Sequence, residues 1–451
     1  MRDLAIAILL IVLSGVIASI YNSYLPLHGD EAYYWLWSHH LQTGYYDHPP
    51  MIAFMIYLSN FISETEWGVR LINVASMSVA ALVIYRITQK MSDSKSALTS
   101  VIIFLSVLLV HAGYTITTTD SPLILFYSLA LLAFYNVLTR AKVIDFILLG
   151  VWLGLMMLSK YTAILFVVSL LLFVLLRRRD LLSEWRSYLS ASIAFVIILP
   201  MLWWNYEHNW ISFAFQASHG GEGEFALNYA GEFIGSQFLI FTPIFAWVLF
   251  ASMFKHRLYY RDDRLFMLSI FTLTPLLFFL YKSFFIHIEL NYSAPAYIGA
   301  AIIVALALRD RKKTLVAGVV LALVLSVVAR VTLLFYLPQV QDRMYGNKEA
   351  VQMLQTHRID SDAIYADHLT LASLITYYSP DRPEVRIPTS TRFSQYDMWD
   401  SGSKFKAGLY LSDGDDLEEL EELFERVELI DKISFVLKDN KSKSYYLYRV
   451  Y

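Results

Sequence analysis

Residues 27–50 read LHGDEAYYWLWSHHLQTGYYDHPP. Asp30, Glu31 and Asp47 stand in this stretch with His28, His39, His40 and His48, and hydrophobic runs lie on either side. Carboxylate and imidazole groups at a bilayer edge are costly to desolvate unless they bind or react, which makes the loop the first candidate for an active site. The flanking runs decide what kind of molecule carries it.

Apolar runs of about 17–25 residues, long enough to cross a bilayer, fall near 3–22, 68–89, 96–113, 121–139, 143–159, 161–176, 187–204, 233–254, 265–281, 293–308 and 314–336. They predict an α-helical polytopic membrane protein of about 11–13 transmembrane helices. The opening MRDLAIAILLIVLSGVIASIY has a basic first turn but no small-residue cleavage signature before Asn22 and Ser23, and reads as a retained first span. The run PPMIAFMIYLSNFIS at 49–63 is too short to span, and its paired prolines suit the first turn of a helix at the interface.

Composition agrees. Of 451 residues, 57% are apolar, and the mean hydropathy is +0.48. A net charge of −3 lacks the basic face that nucleic acid requires. The absence of cysteine excludes thiol catalysis, thiolate metal sites and disulfides.

Lysine and arginine fix the expected orientation. If Arg2 is cytoplasmic, alternate connections carry Arg86, Lys90, Lys95, Arg140, Lys142, Arg177, Arg178, Arg179, Arg186, Lys255, Arg257, Arg261, Arg264, Arg309, Arg311, Lys312 and Lys313. Only Arg70, Lys160, Lys282 and Arg330 fall elsewhere before residue 339. The bias makes the first side cytoplasmic and gathers the polar chemistry on the outer one. From about Gln339 the composition turns mixed, with strand patterns DAIYADH and ISFVLKD around an acidic helix at 415–430. The expected domains are therefore a transmembrane part, 1–338, and an extracytoplasmic α/β domain, 339–451. Gly220, Gly221, Glu222 and Gly223 mark a candidate loop.

Several side chains could carry chemistry. Asp30 and Glu31 can withdraw a proton from an acceptor, with helix capping by Asp30 as the structural alternative. Asp47 and His48 offer oxygen and nitrogen ligands to a divalent cation, or form a turn ahead of the proline-started helix. Asp120, in TTTDSPL, is a third outer carboxylate or an N-cap. Lys160 and Lys282 run against the charge bias, as groups pairing with a lipid phosphate would, or else snorkel from span ends. Asn205, His208 and Trp210, with His287, Glu289 and Asn291, combine the aromatic and polar groups that sugar rings need, although an interfacial belt also explains the tryptophan.

Taken in order, DEAYYW, GYYDHPPM, TTTDSPL, LSKYTAIL, WNYEHNWISFAFQ and NYSAPAY resemble the polytopic glycosyltransferases of the type C fold, in the family 39 or aminoarabinose-transferase-like branch. The resemblance runs over about residues 24–300, and TRFSQYDMW is similar to the outer domain of the same branch. It implies transfer of a sugar from a polyprenyl (undecaprenyl) phosphate donor to a lipid, glycan or protein acceptor, outside the bacterial cytoplasmic (inner) membrane. By position, Asp30 would be the catalytic carboxylate with Glu31 beside it, Asp120 the second acid, and Lys160 a phosphate-binding lysine. Asp47 and His48 stand where the branch has a metal- and phosphate-binding Glu-Lys-Pro-Pro motif, and Lys282 is a further phosphate candidate. Tyr33 and Tyr34, which replace an expected arginine, join the substrate-binding set.

The DHPP form is more similar to lipid A or core galacturonosyltransferases, which points to a lipopolysaccharide-type acceptor. A divalent cation is the one cofactor suggested. A protein O-glycosyltransferase of the same fold is the nearer rival. A lipid or solute transporter is the more distant one, since it would place ionisable groups near the membrane midplane and show a repeat.

Overall fold

The computed structural model describes residues 1–221, 223–255, 262–335, 344–388, 392–400, 402, 404–436 and 442–451. Two compact units divide it. Residues 1–22, 43–55 and 70–330 form a helical unit, and 23–42, 56–69 and 331–451 form a second unit. The expected boundary at 338/339 lies outside the described residues.

In the helical unit the apolar runs become helices. Among the described residues, six helices are long and apolar enough to cross a bilayer singly: Arg2–Asn22, Glu66–Met91, Asp120–Thr139, Trp185–Glu207, Asp263–Lys282 and Lys312–Phe335. Two further expected spans are broken. Ser94–Ser106 and Leu108–Thr115 meet at 63°, because Val107 is extended. Leu227–Phe241 turns by 102° into the next helix at Thr242, whose φ is +65°. Pro243, with no N–H to lose, starts the helix that follows. Val143–Met157, Ile164–Arg177 and Ala296–Ala307 are apolar but shorter. Among the described residues, the eleven candidate spans become six long helices, two bent pairs and three short helices, and the chain is a multi-pass membrane protein.

Burial separates the roles of these helices. Asp120–Thr139 is mostly buried, whereas Arg2–Asn22 and Lys312–Phe335 leave most of their surface open, as lipid-facing helices do. Exposed Val16, Ile20, Val324 and Val328 need no polar partner in such a setting. The expected interfacial helix is Met51–Asn60, which begins directly after the two prolines, with the Pro50 carbonyl accepting from the amides of Ala53 and Phe54. Gly220 and Gly221 close the helix Ile211–Gly221 rather than forming a loop, and Glu222 is outside the described residues.

The second unit holds a five-stranded sheet: β1 Ala363–Ala366, β2 Val385–Arg386, β3 Gly408–Ser412, β4 Val427–Val436 and β5 Ser442–Val450. Its order is β2-β1-β3-β5-β4. β1 is parallel to both β2 and β3, and β5 is antiparallel to β3 and β4. The acidic helix expected at 415–430 is corrected: only Leu417–Leu423 is helical. The VELI segment instead enters β4, which pairs with β5 from Val427/Val450 to Val436/Ser442. Leu420 and Phe424 stay buried against Tyr365, Tyr410, Tyr448 and Val450, so cross-strand pairing outweighs the helical preference of the glutamate run.

Candidate functional site

In the helical unit, Asp120 is the first residue of Asp120–Thr139, where the helix dipole favours a carboxylate. It does not cap that helix, whose N-cap is Thr119, and the capping alternative is set aside. Both carboxylate oxygens instead receive the Lys160 ammonium, at 2.8 and 3.0 Å. The Asn291 amide donates to Oδ2 as well. Lys160 lies 4.7 Å from the centre of the Tyr292 ring, so the ammonium sits between a carboxylate and a π face. The Lys160 and Asp120 side chains are only 10% and 8% exposed, which places the pair in a poorly screened setting.

A buried polar framework holds this corner. Ser121 donates to Asn73 at 2.6 Å, Asn73 donates to Thr117 at 3.0 Å, and Arg70 donates to the Asn22 carbonyl at 3.0 Å. Asn22 in turn donates to the Tyr114 carbonyl. The sequence reading counted Arg70 only as a charge and passed over Asn73 and Thr117. The available signal was a lone arginine at the start of an apolar run, set apart from the basic clusters; the structure buries it fully.

Other predicted groups of this unit are spread out. Asp47 is buried, and its carbonyl accepts from Gln216 at 2.7 Å. Among the described residues, Asp47 and His48 belong to no group of three or more potential metal ligands. His208 stacks on Trp204 at 4.1 Å and engages its carbonyl, a local helix-end arrangement. Asn205 is buried and donates to the Met201 carbonyl. Trp210 is exposed, with φ at +59°. His287 and Glu289 are exposed near Glu232, and Lys282 ends its helix, half-buried. Of the 282–291 segment, Asn291 reaches the Asp120 cluster.

In the second unit, Asp30 and Glu31 separate in role. His28 caps the helix Gly29–His39: its ring Nδ1 accepts from the Asp30 amide, while the Glu31 carboxylate accepts from the His28 amide at 2.9 Å. Glu31 is fully buried in this capping box. The Asp30 side chain stays 45% exposed. Tyr33 and Tyr34 are both buried. The Tyr33 hydroxyl accepts from the Gln395 amide at 2.9 Å, and its ring stacks on Tyr396 of the QYDMW segment.

Asp30 and His28 line a cavity of about 450 Å³ within this unit, together with Asp367, His368, Asp413 and Lys443. Burial works against ionisation of Asp367, but the hydrogen bond and charge of His368 outweigh it and hold the carboxyl low. Burial likewise lowers His368, yet Asp367 raises it overall. Asp413 is pushed up to about 6 by burial and then by the neighbouring Asp367 charge. This trio escaped the sequence reading. Its signal was an acid immediately after each of two predicted or hidden strands, in IYADH and LYLSD.

The fold is the type C fold seen in ArnT of Cupriavidus metallidurans. ArnT of Cupriavidus metallidurans in the apo state matches 100% of this chain and 98% of that one with a TM-score of 0.75 at 13% identity. The same protein bound to undecaprenyl phosphate matches 97% of each chain at 0.70 and 14%. In sequence, residues 47–204 match the dolichyl-phosphate-mannose-protein mannosyltransferase family model. Asp47, His48, Asp120 and Lys160 all fall inside that region. The lipid A galacturonosyltransferase RgtD of Rhizobium johnstonii is 28% identical over 281 residues, 61% of this chain. The matched part spans 59% of that relative's length.

Proposed function

We propose that this chain transfers a sugar from a polyprenyl-phosphate donor to a lipid or glycan acceptor of the lipid A type, on the outer face of a bacterial cytoplasmic membrane. The observation that carries this reading is the buried Lys160 ammonium held by Asp120, both within residues 47–204, with the Asn291 amide donating to the same carboxylate. A lysine in this setting offers a compact charge to a phosphate, which can replace Asp120 as its partner. The helix end and the Asn291 amide keep the carboxylate satisfied when the lysine turns away.

Phosphate is a competent leaving group, so the main demand is to offset charge developing on it as the anomeric carbon–oxygen bond breaks. Asp30, the open carboxylate of its pair, is assigned to withdraw the acceptor's proton. One displacement inverts the anomeric centre. The similarity to a lipid A galacturonosyltransferase makes a hexuronic acid the first donor sugar to try.

The test is transfer by the full-length protein in nanodiscs, from an undecaprenyl-phosphate sugar to lipid A, followed by mass spectrometry and product stereochemistry. A lipid A product with inverted configuration is expected. Retention of configuration, or undiminished transfer by Asp30→Asn, refutes the mechanism. The family match at 47–204 favours one second reading, a protein acceptor. Glycosylated protein with unmodified lipid A would establish it instead.

A further inference from the structure

We propose that Asp367, His368 and Asp413 form a divalent-cation site at one end of the sheet in the second unit. Its position follows from the topology. β1 lies between β2 and β3 and runs parallel to both, so the chain leaves β1 towards one side and returns on the other. Adjacent carboxyl ends of parallel strands at such a reversal leave a crevice in which ligands bind. Asp367 directly follows β1, and Asp413 directly follows β3. Ala366 faces Leu411 in register, which brings the two acids to the same end. The strands can approach this closely because a Cβ at Gly408 would lie 2.1 Å from the Ala363 carbonyl oxygen, so no larger residue fits.

The side chains converge as the backbone dictates. One Asp367 oxygen accepts from the Asp413 amide at 2.9 Å and from the Ser412 hydroxyl at 3.0 Å. The other engages His368 Nδ1, a contact that orients the imidazole. One donor atom from each of the three residues lies within 4.8 Å of the others, a spread that a single bound ion can draw together. Two carboxylates and an imidazole suit Mn²⁺ or Zn²⁺ better than the all-oxygen shell preferred by Ca²⁺ or Mg²⁺. The trio opens on the cavity of about 450 Å³ that Asp30 also lines. Lys443, on the same cavity, is the rival counter-charge to the two acids.

Metal content separates the two without reference to transfer. The full-length protein in detergent is stripped with chelator and dialysed against Mn²⁺ or Zn²⁺, and bound metal is counted by mass spectrometry. One equivalent per chain is expected. Asp413→Asn and His368→Gln should each weaken binding at least tenfold, with unchanged size-exclusion profiles. Mn²⁺ in the native protein should show coupling to an imidazole nitrogen in pulsed electron paramagnetic resonance, lost in His368→Gln. Binding of less than a tenth of an equivalent by well-folded protein overturns the proposal and leaves Lys443 as the counter-charge. Metal retained in both variants but lost in Asp47→Asn overturns it as well.

Discussion

Replacing Lys160 by methionine removes the cation from a carboxylate that is 8% exposed. Losing one member of a buried pair typically costs about 3–5 kcal/mol, because the remaining charge stays desolvated. Asn291 and Thr118 still reach Asp120, so the lower end, about 3 kcal/mol, is expected. Asp120→Asn strands the ammonium at a similar cost, partly offset by the Tyr292 ring. The double variant should be less destabilised than the sum of the two, with a coupling of about 1–3 kcal/mol. Unfolding in detergent measures all three. Carrier binding supplies a second readout with opposite signs. Lys160→Met should weaken undecaprenyl phosphate binding at least tenfold, whereas Asp120→Asn frees the ammonium and should preserve or tighten it. Additive stabilities, or equal loss of carrier binding in both single variants, would refute the assignment of Lys160 to the phosphate.

Two further outcomes concern the second unit. Asp30→Asn should lower transfer at least about 100-fold with no loss of stability, as removal of a general base does, while Glu31→Ala should cost about 1 kcal/mol of stability through the lost cap; comparable stability losses in both would contradict the separation of roles. The hydrogen bond from Arg382, and then its charge, holds the Glu64 carboxyl below its ordinary value of 4.5. A depressed carboxylate stabilises fully above that value and loses its contribution as pH falls through the lower folded one. The pair is about 40% exposed, so the effect stays within about 1 kcal/mol. Glu64→Gln should flatten the decline of stability below about pH 4.5, and an unchanged acid limb in thermal unfolding would exclude the contact.

The span positions were legible because a membrane helix must satisfy its backbone internally and be apolar along its length. The breaks at Val107 and Thr242 were not, since apolar composition continues through both; Pro243 is the visible mark of the second. Asp120, Lys160 and Asn291 were each singled out, but their meeting depends on packing between segments far apart in sequence. Asp30 and Glu31 could not be told apart by order alone, because either can serve a helix start, and His28 rather than Asp30 proved to be the cap. The glutamate-rich stretch before β4 misled for a similar reason. Local preference favours a helix there, and only the partner strand β5 selects extended backbone. Asp367 and Asp413 stood 46 positions apart in sequence, and parallel register alone makes them neighbours.

Because the second unit draws on residues 23–42 and 56–69 as well as 331–451, its first pieces are made long before its last. At a synthesis rate of about 5–20 residues per second, the early segments wait roughly 10–50 s while residues 70–330 are threaded into the bilayer. During that interval Tyr33 and Trp35 lack the aromatic partners that arrive with Tyr396 and Tyr377. A chain cut short before residue 331 would therefore leave these aromatic segments without their partners, an unfinished form open to quality-control proteases.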